Sequence, residues 1–290
     1  MCDARSAFFG RFCAVFDGHG GEAAAELAAE RLLAFAEARA ADADGNADAL
    51  GGALARAFAD CEHALARAAA AQRSDPGGAV AVAAAVLPSA PPTLLLAWAG
   101  DATALLLRRG HAVRLTREHT LAEPSELRRV LLSGGEVVPP RTPADAARVV
   151  RRDANDLEHR VVPTRGIGDL QDGQPNTVLT PLPVVRTLWL SAGDELLALV
   201  SDGVTGVLTD QARRGALCGC LWRADALLWR QCRRLWLRQR QQRPTAPRRQ
   251  ARWWRRRSAP SPRTTAPPWW CFSLAARDDA QRQTSMRHQA

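Results

Sequence analysis

Apolar and polar positions divide the first two thirds of the chain into helices and short strands. Alanine, leucine and arginine recur at helical spacing over residues 22–41 and 51–71, which predicts two helices separated by a Gly/Asp/Asn turn. A third helix is predicted at 123–133, where two glycines end the pattern, and a fourth begins after Asp202.

Strand-like apolar runs follow the second helix. Four are predicted, at residues 79–87, 93–99, 104–108 and 111–115, with glycine- and proline-containing turns between them. Their close spacing favours an antiparallel meander. Two more strands are predicted at 177–190 and 195–201. This order of elements is typical of an α/β or α+β domain.

Three acid-bearing turns each follow an apolar strand, and they read AVFDGHGG at Asp17, LLLAWAGD at Asp101 and LLALVSDG at Asp202. Carboxylates at the ends of several strands can converge on one divalent cation, and hard oxygen ligands suit Mg²⁺ or Mn²⁺. A glycine beside each acid lets the backbone approach an ion and offers a carbonyl ligand. A single Asp-Gly pair is also a common hairpin turn, so the three turns count together.

Composition changes this picture little. The formal net charge is +9, but all 39 basic residues are arginine and tyrosine is absent, as a GC-rich gene would produce. The charge therefore argues only weakly for a nucleic-acid partner. The seven cysteines are scattered without zinc-site spacing, which predicts unpaired thiols in a reduced compartment. No signal peptide or membrane span is apparent, so we expect a soluble intracellular protein, cytoplasmic or mitochondrial.

The last third of the chain has a different character. Seven of the nine tryptophans lie beyond Arg213, with only three acids and no clean strand pattern. Trp222, Trp229 and Trp236 lie seven residues apart, a spacing that a short helix could use. Arg, Pro and Trp codons also arise when a GC-rich reading frame shifts, and we expect residues 213–290 to be disordered or out of frame. The alternative is a genuine tail that binds nucleic acid or an anionic surface.

The motifs together resemble the metal-dependent serine/threonine protein phosphatases of type 2C, the PPM family. The matching stretches run in the family's order over residues 8–210: FCAVFDGHGG, AWAGDATALLLRRG, LTREHTLAEPSELRRVLLSGGEVV, PTRGIGDL and LALVSDGVTGVL. The resemblance implies an α+β fold for residues 1–212, with two packed antiparallel sheets flanked by helices. The basic tail over 213–290 has no counterpart in the family.

The resemblance also implies a site and a reaction. Two Mg²⁺ or Mn²⁺ ions are expected, with Asp17 bridging them, the carbonyl of Gly18 binding one and Asp202 binding the other. Asp101 is expected at a looser third metal or in a structural role. His19 matches the histidine that protonates the leaving serine or threonine oxygen. A monomeric enzyme acting on phosphoproteins, through a water activated by two metals, is the implied function.

Several of these residues also have a structural interpretation, and parts of the family pattern are missing from the sequence. His19 could only hydrogen-bond its loop, Asp169 is expected in the wall of the active site, and His119 and Arg165 are expected to be structural. The family's upstream strand with an arginine and an acidic pair has no match, nor has its C-terminal Asp-Asn strand. These departures favour an alternative function, a catalytically weak or inactive pseudophosphatase that binds phosphoproteins.

Overall fold

The computed structural model describes residues 2–41, 45–142, 145–205 and 270–274. Its helices are α1 (Ala23–Ala40), α2 (Ala47–Gln72), α3 (Pro124–Leu132) and α4 (Asp202–Thr205). Its strands are β1 (Cys2–Ser6), β2 (Gly10–His19), β3 (Gly78–Leu87), β4 (Thr93–Ala99), β5 (Thr103–Arg108), β6 (His111–Arg114), β7 (Glu136–Val138), β8 (Arg148–Arg152), β9 (Glu158–Val161), β10 (Ile167–Gly168), β11 (Val184–Trp189), β12 (Asp194–Val200) and β13 (Trp270–Leu274).

The strands form two large sheets and one small one. The first sheet has the order β1-β2-β3-β4-β11, with β10 also paired to β3. The second has the order β13-β12-β5-β6, and β7-β8-β9 form the small sheet. Neighbouring strands are antiparallel except β12 and β13, which are parallel. The α+β fold of antiparallel sheets and helices implied by the sequence is confirmed.

Successive residues of β3 face two different cores. Ala81 and Ala83 face α1 and α2, which pack on the outer side of the first sheet. Val82 contacts the second sheet in a core that includes Leu106 and Leu199. Because both faces of this strand are covered, its sequence is apolar throughout and lacks the alternation of a half-exposed strand.

The predicted four-strand meander is wrong in one respect. The strands at 93–99 and 104–108 do not pair with each other, because β4 belongs to the first sheet and β5 to the second. Between them the chain turns at Gly100, whose φ of +104° is accessible to glycine at little cost. This turn carries Asp101 from one sheet to the other.

Element ends differ from the prediction for local reasons. Helix α2 begins at Ala47 rather than at 51, because the Asn46 side chain caps it by accepting a hydrogen bond from the Ala49 amide at 2.8 Å. The strand predicted at 177–190 is confined to β11, since Pro181 and Pro183 supply no amide hydrogen for pairing. The small sheet β7-β8-β9 was not predicted.

The cysteines differ in bonding state, and the last described strand lies in the C-terminal part of the chain. Cys61 is a free, buried thiol, whereas Cys13 is disulfide-bonded, so the expectation of unpaired thiols is wrong for Cys13. Strand β13 lies in the stretch where the sequence showed no strand pattern. The other predictions for residues 213–290, including the tryptophan helix, lie outside the described residues. Within the described ranges, no helix is long and apolar enough to cross a membrane.

Candidate active site

Sheet pairing gathers the three predicted acidic turns at one end of the sandwich. Strands β2 and β4 flank β3 and are both antiparallel to it, so their C-terminal ends lie at the same edge. Asp17 is near the end of β2, and Asp101 follows β4. In the second sheet Val200 pairs with Thr103, which brings Asp202 towards Asp101. Antiparallel register thus brings together residues that are far apart in sequence.

The charges of these acids affect one another's ionisation. Burial is the largest cause of a raised pKa of Asp17, to about 7, and the charge and hydrogen bond of Asp202 and the charge of Asp101 add to it. The Ser201 hydroxyl opposes the rise by hydrogen bonding to Asp17. Burial, followed by the charge of Asp202, raises the pKa of Asp101 to about 6. Without a metal ion, the negative charges of these aspartates repel one another, and a bound cation would offset this repulsion.

The backbone beside Asp17 has no room for a side chain. A Cβ on Gly18 would lie 2.8 Å from the carbonyl oxygen of Gly21 and 3.2 Å from the Cβ of Ala25. The glycine therefore lets β2 approach the start of α1 closely. Carboxylate and carbonyl oxygens are the donors that Mg²⁺ and Mn²⁺ prefer, so the chemistry of these residues fits either ion.

His19, two residues beyond Asp17, is held by an acid from another part of the chain. Its Nε2 lies 2.6 Å from Oδ2 of Asp169, which is 2% exposed. Burial disfavours the imidazolium, but the charge and hydrogen bond of Asp169 outweigh this and raise the pKa of His19. The alternative that His19 only hydrogen-bonds its own loop does not describe this arrangement, because its partner is 150 residues away.

A buried arginine that the sequence analysis missed holds Asp169 from the other side. Arg151, 2% exposed, donates from Nε to Oδ1 of Asp169 at 3.1 Å and from Nη2 to Oδ2 of Asp75 at 2.7 Å. Because Arg151 lies on β8, it connects the small sheet to His19. In sequence it stands in RVVRR among ordinary surface-type arginines, so no local signal marks it.

Asp75 also belongs to a second group of potential metal ligands. Ligand atoms of Asp75, Asp153 and His159 all lie within 4.8 Å of one another. Asp153 already accepts hydrogen bonds from the amides of Asn155 and Leu157 and from His159, and Arg151 supplies a cation at Asp75. These contacts describe a structural network that Arg151 links to Asp169.

His119 and Arg165 are satisfied by neighbours, in agreement with the structural roles expected for them. His119 Nδ1 accepts a hydrogen bond from the Gly100 amide at 3.1 Å, and its ring stacks on Trp98. It therefore supports the turn that carries Asp101. Arg165 makes a bidentate contact with Glu126.

The fold is similar to that of solved structures. A serine-threonine phosphatase 2C from Toxoplasma gondii superposes with a TM-score of 0.56 at 19% identity, covering 70% of this chain and 71% of that one. At this identity the likeness concerns the fold alone, an α+β arrangement of antiparallel sheets and helices.

Sequence comparison then gives the family. A family model described as protein phosphatase 2C matches residues 6–213. The probable protein phosphatase 1N of Mus musculus is 34% identical over 198 residues, which are 68% of this chain and 46% of that protein. The probable protein phosphatase 2C 47 of Oryza sativa subsp. japonica is 33% identical over 221 residues, with 73% and 50% covered. The chain belongs to the protein phosphatase 2C family, and it spans about half the length of these curated relatives.

Proposed function

We propose that this chain hydrolyses phosphoserine or phosphothreonine in proteins with the help of two Mg²⁺ or Mn²⁺ ions. The observation that carries the proposal is the convergence of Asp17, Asp101 and Asp202 from three strand ends beside a histidine. Asp17 would bridge the ions, the Gly18 carbonyl and Asp202 would each bind one, and Asp101 would bind more loosely. When bound, such ions supply an acidic water as nucleophile and offset charge on the phosphoryl oxygens.

His19 is the proposed proton donor to the leaving oxygen. In the imidazolium form, the Asp169 carboxylate holds Nε2–H, so Nδ1–H would be the proton that is transferred. Asp169 favours this charged form and fixes the ring orientation, as a general acid requires. Arg151 holds the second oxygen of Asp169 and restricts its rotation.

A phosphopeptide assay tests this function. With Mn²⁺ we expect turnover of a phosphothreonine peptide that EDTA abolishes, and Asp17→Asn should lower kcat about 100-fold or more, because loss of a bridging ligand removes several kcal/mol of transition-state stabilisation. Asp3→Asn is the matched control, since Asp3 lies on β1 in an exposed ion pair with Arg11. Full activity of Asp17→Asn, or turnover in EDTA, would contradict the proposal.

A pseudophosphatase is the second candidate. Strand β1 occupies the place before β2, but its Asp3 pairs with Cys13, four positions before Asp17, and contacts Arg11. Within the described ranges the site thus has no counterpart of the family's upstream acidic pair. Calorimetric titration with Mn²⁺ separates the candidates: two bound ions with at least one tight site support the enzyme, whereas feeble binding throughout supports a phosphoprotein-binding module.

A further inference from the structure

A buried carboxyl group on α2 has no role in the chemistry described above. Glu62 is 1% exposed, and its Oε2 accepts a hydrogen bond from the amide of Gly168 at 2.5 Å. Its Oε1 makes no hydrogen bond of ordinary geometry to the described residues, although the Asn176 backbone amide also interacts with the carboxyl group. Burial is the main cause that raises the pKa of Glu62 to about 8, and the nearby charge of Asp169 adds to it. A buried acid that is neutral at pH 7 acts as a hydrogen-bonding group, not as a charge.

The segment that Glu62 contacts has an unusual backbone. Gly168 has a φ of +94°, and Asp169 follows it with a φ of +52°. A Cβ at Gly168 would lie 2.5 Å from the Gly77 carbonyl oxygen and 3.0 Å from Leu65 of α2. The segment is therefore pressed between the start of β3 and the helix. A non-glycine residue in the left-handed region persists only when its surroundings hold it there.

The contacts that hold this segment come from both of its neighbours. The Asp169 amide donates to the Gly77 carbonyl at 2.8 Å, and the Asn176 side chain donates to the Asp169 carbonyl at 3.0 Å. On the helix side, Glu62 accepts a hydrogen bond from the amide of Gly168. Without this acceptor, the Gly168 amide would be a buried donor lacking a described partner, which the segment could relieve by moving away from α2.

We propose that Glu62 is a positioning residue for the phosphatase reaction, anchoring Gly168 so that the Asp169 carboxylate stays in contact with His19. Glu62 touches neither substrate nor His19, and it acts through the two-residue path from Gly168 to Asp169. This inference rests on the proposed function, since it assigns a role to His19 in turnover. A residue needed only to fill space at this position would be apolar. The hydrogen bond that the carboxyl group accepts from the Gly168 amide explains why an acid is buried here.

Two variants test the role of the acceptor. Glu62→Gln keeps a side-chain oxygen for the Gly168 amide, whereas Glu62→Met fills similar space without one. In the Mn²⁺ phosphopeptide assay we expect Glu62→Met to lower kcat about tenfold with KM changed less than twofold, and Glu62→Gln to stay within about threefold of wild type. Cys61→Ala, at a buried position of the same helix, is the control for a general packing defect. Equal losses in the Gln and Met variants would overturn the proposal.

Hydrogen exchange measured by mass spectrometry provides a readout that does not need activity. Amides over 166–170 should exchange at least about tenfold faster in Glu62→Met than in wild type, and at the wild-type rate in Glu62→Gln. If the wild-type chain shows no turnover, the proposed function fails, while exchange still decides whether Glu62 holds the segment. In wild type itself the Gly168 amide should be strongly protected, and exchange as fast as in an exposed loop overturns the anchoring role even if Glu62→Met does not fold.

Discussion

At the scale of single residues, one buried carboxylate organises the start of the TRGIGD motif. Glu126, 3% exposed, accepts hydrogen bonds from Thr164 at 2.7 Å, from Arg165 at 2.6 Å and from Arg129 at 3.0 Å. Thr164 and Arg165 of the motif are therefore hydrogen-bond donors to Glu126. They fix the chain a few residues before Asp169, and their place in the motif has a structural explanation.

Because of Glu126, the free energy of unfolding should depend on pH in the acidic range. Burial opposes its ionisation, but the hydrogen bonds of Arg165 and Thr164 and the charge of Arg165 outweigh burial and lower the pKa from 4.5 to about 2. Between these values the unfolded chain binds more protons, so the free energy of unfolding falls as pH decreases from about 5 towards 2. Glu126→Gln should cost about 2 kcal/mol at pH 7 and much less at pH 3, as measured by urea unfolding.

The control for this prediction is Glu123→Gln, because Glu123 pairs with Arg117, which is 77% exposed. A surface pair of this kind contributes at most about 1 kcal/mol. A loss in Glu126→Gln that is the same at pH 7 and pH 3 would show that the charge of Glu126 is not responsible.

At the scale of elements, the first residue of β3 sets the distance between β10 and β2. Gly78 pairs with Gly168 on one side and with His19 on the other. A Cβ at Gly78 would overlap the Asp169 carboxylate and lie 2.6 Å from His19 Nε2. Three elements can approach this closely only because the shared position has no side chain.

Gly78→Ala should therefore separate His19 from Asp169. We expect kcat to fall about tenfold or more, as for an impaired general acid, with the Mn²⁺ affinity unchanged. Gly52→Ala is the matched control. Its Cβ would meet only the end of the flexible Arg56 side chain at 3.4 Å, and alanine in α2 should stabilise the helix by up to about 1 kcal/mol. Equal activity of the two variants would argue against the contact between His19 and Asp169.

At the scale of the whole molecule, carboxylates from both sheets lie at the same end of the sandwich. Asp17 comes from the first sheet and Asp202 follows the last antiparallel strand of the second, β12. Repulsion between them acts across the sandwich. We therefore expect the protein to be less stable without a cation and to gain stability if a cation binds here.

Removing one of these charges should stabilise the metal-free protein. Because folding raises the pKa of Asp17 from 3.8 to about 7, the folded state loses stability relative to the unfolded chain as pH rises through that window. In EDTA at pH 8, Asp17→Asn should raise the free energy of unfolding by about 1 kcal/mol, a value discounted for partial solvent access, and the melting temperature by roughly 2–4 °C.

The same variant should lose the stabilisation that Mn²⁺ confers. An ion at 100 times its dissociation constant adds about 2.7 kcal/mol to the wild type. Thermal melts in EDTA and in Mn²⁺ measure both effects. An Asp17→Asn protein that melts below wild type in EDTA, or that gains as much from Mn²⁺, would contradict this account of the acidic cluster.

Features that depend on neighbours along the chain could be predicted from the sequence. Apolar runs located β3, β4 and β12 to within about a residue, and helical spacing located α1 and α3. Turns that combine an aspartate with a neighbouring glycine marked Asp17, Asp101 and Asp202. These signals are local, because strand and helix periods act over a few residues. Local pattern could not say that β4 and β5 part at Gly100, since both runs are equally apolar and only sheet packing separates them.

The surroundings of the acids depend on contacts between distant parts of the chain, which the local pattern does not encode. His19 meets Asp169 across 150 residues, Gly168 meets Glu62 across 106, and Arg151 meets Asp75 across 76. Each contact depends on the register of several strands at once, and none of these side chains breaks the periodic pattern around it. A buried charge resembles a surface charge in sequence, because the partner that permits its burial comes from a distant part of the chain.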